Sequence, residues 1–271
     1  MRTARAVLNL TLLLVWTALL LPAQAAAAAL RLRWAKHIPM LYHRGVARII
    51  GMHIDVQGEI AGDGPTLFVV NHASWLDITV LDTLVKGCFV AKREVASWPL
   101  FGLLAKLQRT VFVERAPSRT LEQRNSMVSR LEAGQSLMLF PEGTSGDGNR
   151  VLPFRSALFA AAEEPISGKP VTVQPVTIAY VGLNGMPMGR RNRPLFAWYG
   201  DMALLPHVWG VLGAGPSTVA VRFHEPVTIT SFASRKGLAA HCQGVIAAGL
   251  SDALSGRIPV PREATAQDVL P

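Results

Sequence analysis

His72 and Asp77 stand five residues apart in Asn71-His72-Ala73-Ser74-Trp75-Leu76-Asp77. An imidazole held at one nitrogen by a carboxylate keeps its other nitrogen basic, which is what general-base catalysis needs. On a continuous helix, side chains five apart diverge by about 140°, so this pair can meet only across a turn. The flanks provide for one: Thr66–Val70 is an apolar, β-branched run that reads as a buried strand, and Ile78–Val85 reads as a short apolar helix. The expected geometry is strand, tight turn carrying His72, then a first helical turn carrying Asp77. Taken alone, the two residues fit a surface histidine and a helix N-terminal aspartate equally well.

Further chemistry-bearing residues gather at other strand ends. Phe140-Pro141-Glu142-Gly143-Thr144-Ser145 closes the apolar run Ser136–Phe140. Pro141 stops a β-ladder and Gly143 permits a tight turn, so Glu142 and Thr144 are presented at a strand's C-terminal end, where open α/β sheets place their sites. Val111-Phe112-Val113-Glu114-Arg115 puts Arg115 at another strand end, suited to clamp an anion or to pair with Glu114 or Glu122. Val173-Gln174-Pro175-Val176 is an apolar strand interrupted by proline, the mark of a bulge or an edge. Ser74 lacks the glycine frame of a nucleophile elbow and reads as a turn or cap residue.

The elements that must position these groups alternate. Strands are expected at Thr66–Val70, Cys88–Ala91, Thr110–Glu114, Ser136–Phe140, Val171–Tyr180 and Thr218–Phe223. Helices are expected at Ile78–Val85, Pro99–Leu107, Thr120–Glu132, Ser156–Glu163 and Lys236–Leu254. Near-continuous apolar strands separated by helices define an α/β domain with a central mixed or mostly parallel sheet flanked by helices. Gly182–Pro194, with Arg190, Arg191 and Arg193, reads as a long basic loop, either a lid or a solvated connection. The expected organisation is a helical anchor over 1–50, the α/β domain over 51–257 and a disordered tail over 258–271.

The 271 residues are 50% hydrophobic, with 27 Lys+Arg against 18 Asp+Glu and a net charge of +9. No Lys/Arg-rich stretch is interleaved with aromatics, so nucleic acid is not the expected partner; apolarity beside Arg clusters points to a membrane surface. Cys88 and Cys242 have no metal or redox spacing and read as buried thiols. Between Arg5 and Arg31 no residue is charged, a run of 25 positions that would reach roughly 37 Å as a helix. It fits a transmembrane anchor, with Arg31, Arg33, Lys36 and Arg44 favouring a cytoplasmic catalytic domain on the inner membrane. It also fits a signal peptide cut near Ala23-Gln24-Ala25. Trp34–Ile50 reads as an amphipathic helix, at the interface or against the domain, and His37, His43 and His53 as surface or interface residues without metal-ligand spacing.

In order along the chain, these motifs resemble those of the glycerolipid acyltransferase family that acylates lysophosphatidic acid. Asn71, His72 and Asp77 match its first motif, Phe112 to Arg115 its second, Phe140 to Thr144 its third and Val173 to Pro175 its fourth. The resemblance implies fatty acyl transfer from a thioester, on acyl carrier protein or coenzyme A, to a lysolipid hydroxyl, with no cofactor and no metal. It implies His72 as base and Asp77 as its orienting partner. It also implies Arg115 and Glu142 at the acceptor's headgroup and hydroxyls, with Gly143 and Thr144 shaping that pocket. Trp75, Trp98, Phe101 and Leu104 are candidates for an acyl groove.

One departure bears on the acceptor. Arg often follows the third motif in this family, and here Ser145 stands there, leaving Arg150 or Arg155 to replace it. The stretch onward from Gly146 resembles the branch that acylates lyso-ornithine lipid, whose headgroup bears a carboxylate. The favoured acceptor is therefore lyso-ornithine lipid, with lysophosphatidic acid the alternative or a second substrate. A non-catalytic lipid-binding protein, membrane-bound or exported, is the reading from another class.

Overall fold

The computed structural model describes residues 1–30, 32–62, 64–98, 101–108, 110–113 and 120–257. Among these residues eight strands, β1 Met52–Gln57, β2 Thr66–Val70, β3 Gly87–Lys92, β4 Val111–Val113, β5 Ser136–Leu139, β6 Thr172–Leu183, β7 Met186–Pro187 and β8 Ser217–Phe223, build one sheet. Its order is β1-β8-β6-β2-β5-β3-β4, with β7 paired to β6. Neighbours are parallel except β6–β8 and β6–β7. Among the described residues seven α-helices flank it: α1 Arg2–Ala29, α2 Ile38–Ile49, α3 Leu76–Leu84, α4 Phe101–Leu107, α5 Thr120–Glu132, α6 Leu204–Gly213 and α7 Arg235–Leu254.

Alternation along the central strands feeds two cores. Phe68 and Val70 of β2 join Met138, Ile178 and Tyr180 on the face covered by α2, α3 and α6. Leu67 and Val69 join Leu137, Leu139 and Val173 on the face covered by α5 and α7. Both sets are almost fully buried because β2 lies in the middle of the sheet, which is why its sequence is continuously apolar.

The N-terminal helices belong to the first of these cores: Ala6, Ala47 and Ile50 pack with Val80 and Leu212. α1 is also tied down along its length. Arg5 Nη1 and Asn9 Nδ2 donate to the carbonyls of Ala214 and Leu212, Trp16 Nε1 to that of Tyr42, and Gln24 Nε2 to that of Leu107. A side chain at Gly213 would press on the Arg2 carbonyl, which lies 3.1 Å from where its Cβ would be. The opposite face of α1 exposes Val7, Leu8, Leu12, Leu14, Val15 and Leu19.

Several expectations are refined or corrected. Ser156–Glu163 is a helix over the expected residues, of the 3₁₀ kind. The basic loop begins as a hairpin: Asn184 and Gly185 both take positive φ, 54° and 75°, and turn β6 into β7. His43 is no surface residue. It lies between α2 and α3 with a side chain only 13% exposed, its Nδ1 3.3 Å from Thr79 Oγ1 and its Nε2 3.7 Å from Asp82 Oδ2. The tail 258–271 lies outside the described residues.

Candidate active site

β2 and β5 are parallel neighbours with Val69 opposite Leu139, so both chains leave the sheet at the same edge. Asn71 and His72 emerge from one strand and Phe140 to Ser145 from the other. This register brings two clusters together that are nearly seventy residues apart in sequence. Asn71 then locks the turn to β6: its Nδ2 donates to the Ile178 carbonyl at 2.9 Å and its Oδ1 accepts the Ile178 N–H at 2.8 Å.

His72 Nδ1 lies 2.9 Å from Asp77 Oδ2. The same oxygen accepts the backbone N–H groups of Ala73 at 2.7 Å and Ser74 at 2.9 Å, while Oδ1 accepts the Tyr180 hydroxyl at 2.7 Å. A carboxylate only accepts, so Nδ1 carries a proton, and in the neutral ring that leaves the lone pair on Nε2. Asp77 is completely buried and the His72 side chain is 21% exposed, so the imidazole is open to the surface and its partner is not. Phe140 stacks under the imidazole with ring centres 4.1 Å apart and planes 20° from parallel, fixing its tilt. Ser74 is fully buried, and its Oγ accepts the Leu76 N–H at 3.3 Å.

Glu142, expected at the acceptor's hydroxyls, turns its carboxyl inward. Oε1 accepts the His72 N–H at 2.9 Å, Oε2 accepts the Leu152 N–H at 3.1 Å, and the residue is 3% exposed. Burial pushes this carboxyl up to about 8; the two backbone donors oppose that and the Asp77 charge adds to it. Gly143 takes φ 69° to turn the chain, leaving Thr144 exposed at the rim. The Ser145 hydroxyl donates to the Trp198 carbonyl, Trp198 N–H to the Ala73 carbonyl at 2.8 Å, and Gly146 N–H to the His72 carbonyl at 2.9 Å. The turn around His72 is thus bonded to both the 145–146 loop and the 193–198 segment.

Arg115 lies outside the described residues. Arg150 and Arg155 are both exposed, and Arg155 meets the third motif only through its backbone N–H, 2.9 Å from the Pro141 carbonyl. Trp75 Nε1 donates to His207 Nδ1 at 3.1 Å, and Trp98 meets Trp198 edge-on with ring centres 6.0 Å apart. Sequence reasoning missed Tyr180, which nothing marks in an apolar strand, and Arg193, which is buried although composition assigns it to a solvated loop.

An imidazole and a carboxylate meet at the rim of a mostly parallel sheet, and comparison with known proteins gives the class of the chain. The Acyltransferase family profile matches residues 53–179. The chain is 47% identical over 242 residues to the lyso-ornithine lipid O-acyltransferase of Brucella abortus, covering 88% of this chain and 91% of that one. It is 43% identical over 250 residues to the lyso-ornithine lipid O-acyltransferase of Rhizobium meliloti, covering 91% and 86%. Its fold is that of the crystal structure of the 1-acyl-sn-glycerophosphate acyltransferase PlsC from Thermotoga maritima. That match has a TM-score of 0.65 at 22% identity over 93% of this chain and 97% of that one. The chain belongs to the acyltransferase family. Within that family it is a lysolipid acyltransferase.

Proposed function

We propose that the protein moves a fatty acyl group from a thioester, on acyl carrier protein or coenzyme A, to the hydroxyl of lyso-ornithine lipid, giving ornithine lipid. The observation that carries this reading is near full-length identity of 43–47% to two enzymes named for that acceptor. Lysophosphatidic acid is the alternative acceptor.

In this reading His72 Nε2 takes the proton from the acceptor hydroxyl as its oxygen attacks the thioester carbonyl. The C–O bond forms, the C–S bond breaks, and the proton passes from His72 to the departing sulfur. Asp77 keeps Nδ1 protonated and stabilises the imidazolium between these transfers. Glu142 serves as a positioning residue, since both its oxygens hold backbone that carries or flanks His72. Gly143 and Thr144 border the acceptor, Arg115 and Arg155 meet its headgroup, and no cofactor or metal takes part.

The protein works at a membrane. α1 has a mean hydropathy of 2.0 over its most apolar window. Bonds to the domain from Arg5 to Gln24 favour α1 lying along one leaflet over crossing it, with the inner membrane's cytoplasmic face as the site of action. Those bonds also favour an uncleaved chain, and a mature N-terminus near Ala26 would refute this.

The purified full-length protein, given acyl donor and each lysolipid in turn, tests the assignment. Turnover of lyso-ornithine lipid well above that of lysophosphatidate is expected, with loss of about 10²–10⁴-fold in His72→Ala. Turnover of lysophosphatidate alone would overturn the choice of acceptor.

A further inference from the structure

The segment Arg190–Arg193 carries three guanidinium groups, and the structure treats them differently. Arg190 and Arg191 are exposed, whereas Arg193 is 7% exposed. Its Nη1 donates to a neutral acceptor, Asn149 Oδ1, and its Nε is buried without a hydrogen-bond partner. The closest acid along the loop, Asp147, is spent on Asn149: Oδ1 accepts that residue's backbone N–H at 3.0 Å and Oδ2 its amide at 3.1 Å. The Asp147 charge attracts Arg193 from a distance, yet the covered guanidinium keeps an unsatisfied donor, which is costly and favours an anion brought from outside.

Its position suits such an anion. A Cβ built on Gly148 would lie 3.7 Å from Ala73 Cβ and 4.0 Å from Arg193 Cβ, so Arg193 is rooted one thin layer of backbone from the residue that follows His72. Gly148 itself takes φ 76°, and this keeps the layer thin. In the acceptor, the reacting hydroxyl and the headgroup anion are a few bonds apart. An oxyanion held by Arg193 would therefore leave that hydroxyl near His72. Ser145, standing where an Arg often follows the third motif, gives its hydroxyl to Trp198 and so ties down the segment that carries Arg193.

We propose that Arg193 binds the anionic headgroup of the acceptor, a carboxylate in lyso-ornithine lipid, and takes the place of the arginine missing at position 145. This rests on the lysolipid-acceptor reading above. Charge-assisted bonds of this kind set an expected discrimination of about 10- to 100-fold in kcat/KM.

The test uses the full-length protein in mixed micelles with lyso-ornithine lipid and with the same lipid whose carboxylate is converted to a carboxamide. Wild type should prefer the carboxylate by about 10- to 100-fold. Arg193→Gln should cut that ratio by about fivefold or more through a rise in KM for the carboxylate acceptor, the remainder belonging to Arg115 and Arg155. Arg193→Lys should fall between, and it decides the matter if the Gln variant does not fold. Asn149→Ala, which removes the loop bond but keeps the charge, should scale both acceptors alike. A ratio unchanged in Arg193→Gln and Arg193→Lys, or one that collapses equally in Asn149→Ala, would overturn the proposal and leave Arg193 as a loop brace. Lysophosphatidate against monoacylglycerol forms a second arm: loss of that preference in Arg193→Gln would assign the same oxyanion site to phosphate. Failure of the acceptor reading shows separately, as wild-type protein that acylates none of the four.

Discussion

The Tyr180 hydroxyl donates to Asp77 Oδ1 at 2.7 Å, on the side of the carboxylate away from His72. Tyr180 is 2% exposed and stacks on Phe196 at 5.8 Å, so its hydroxyl has no route to water. Burial raises the phenol well above its usual range, and the Asp77 charge adds to this, so it acts as a fixed donor. Tyr180→Phe leaves Oδ1 buried without a partner. The expected cost is about 1–3 kcal/mol of stability, with a several-fold fall in kcat and little change in KM. Denaturant titration and steady-state kinetics check it.

Asp77→Asn separates charge from shape. An amide oxygen turned toward His72 still accepts Nδ1–H and the Ala73 and Ser74 N–H groups, while the amide nitrogen can donate to the Tyr180 oxygen, which is able to accept. Stability should change little. Without the negative charge the imidazolium is no longer stabilised, and kcat should fall by about 10²–10⁴-fold. In Asp77→Asn/Tyr180→Phe the amide nitrogen has no acceptor. A double-mutant cycle should therefore show nearly additive losses in stability, because Tyr180→Phe strands one buried polar group in either background; a coupling of about 1–3 kcal/mol would contradict this bonding scheme.

How much of this could be read from the chain depends on where each constraint originates. The turn joining His72 to Asp77 is local, and the apolar run before it fixes the strand, so residue types and spacing suffice. The third motif is remote, yet it too ends an apolar strand, and parallel pairing sends such ends to one edge. Tyr180 is different, because its partner lies 103 positions away and only the sheet register selects it. β1 was missed: Met52, Ile54 and Val56 alternate with polar residues, yet as an edge strand it exposes Val56 and buries Asp55, so the alternation does not mark its buried face. α6 contains Pro206 and two glycines, which local propensity counts against a helix; packing on α1 outweighs that. Arg193 illustrates the limit of composition: three arginines among glycines and prolines look solvated, and only tertiary packing covers one of them.

Glu142 links the site to pH. Its carboxyl is raised from 4.5 to about 8 by burial. Across that window the unfolded chain releases the proton and the folded chain keeps it, so this group's contribution to stability is complete below about 4.5 and lost as pH rises to about 8. Glu142→Gln removes the dependence and offers one oxygen where two backbone N–H groups need acceptors. Wild type should be the more stable at pH 5, with the gap narrowing toward pH 8, as followed by urea midpoints. A gap that widens with pH would reverse the sign.

His43 and Asp82 supply two opposed slopes within one contact. Burial holds the imidazole down to about 4 and pushes the carboxyl up to about 7, with the side chain of Gln108 opposing the shift in each. The lowered histidine contributes stability that is present above its ordinary 6.5 and lost as pH falls through about 4. The raised aspartate contributes stability that is present below 3.8 and lost as pH rises through about 7. Between about 4 and 6.5 the two nearly cancel, so the junction of α2 with α3 should be level in wild type. Asp82→Asn should uncover the histidine slope, with stability falling on acidification, and His43→Gln the aspartate slope, with stability falling toward neutrality. Because α2 belongs to the same core as α3, hydrogen exchange of α2 amides across pH 4.5–7 reads this junction directly. Slopes of the same sign in the two variants would show that the pair is not buried in its neutral form.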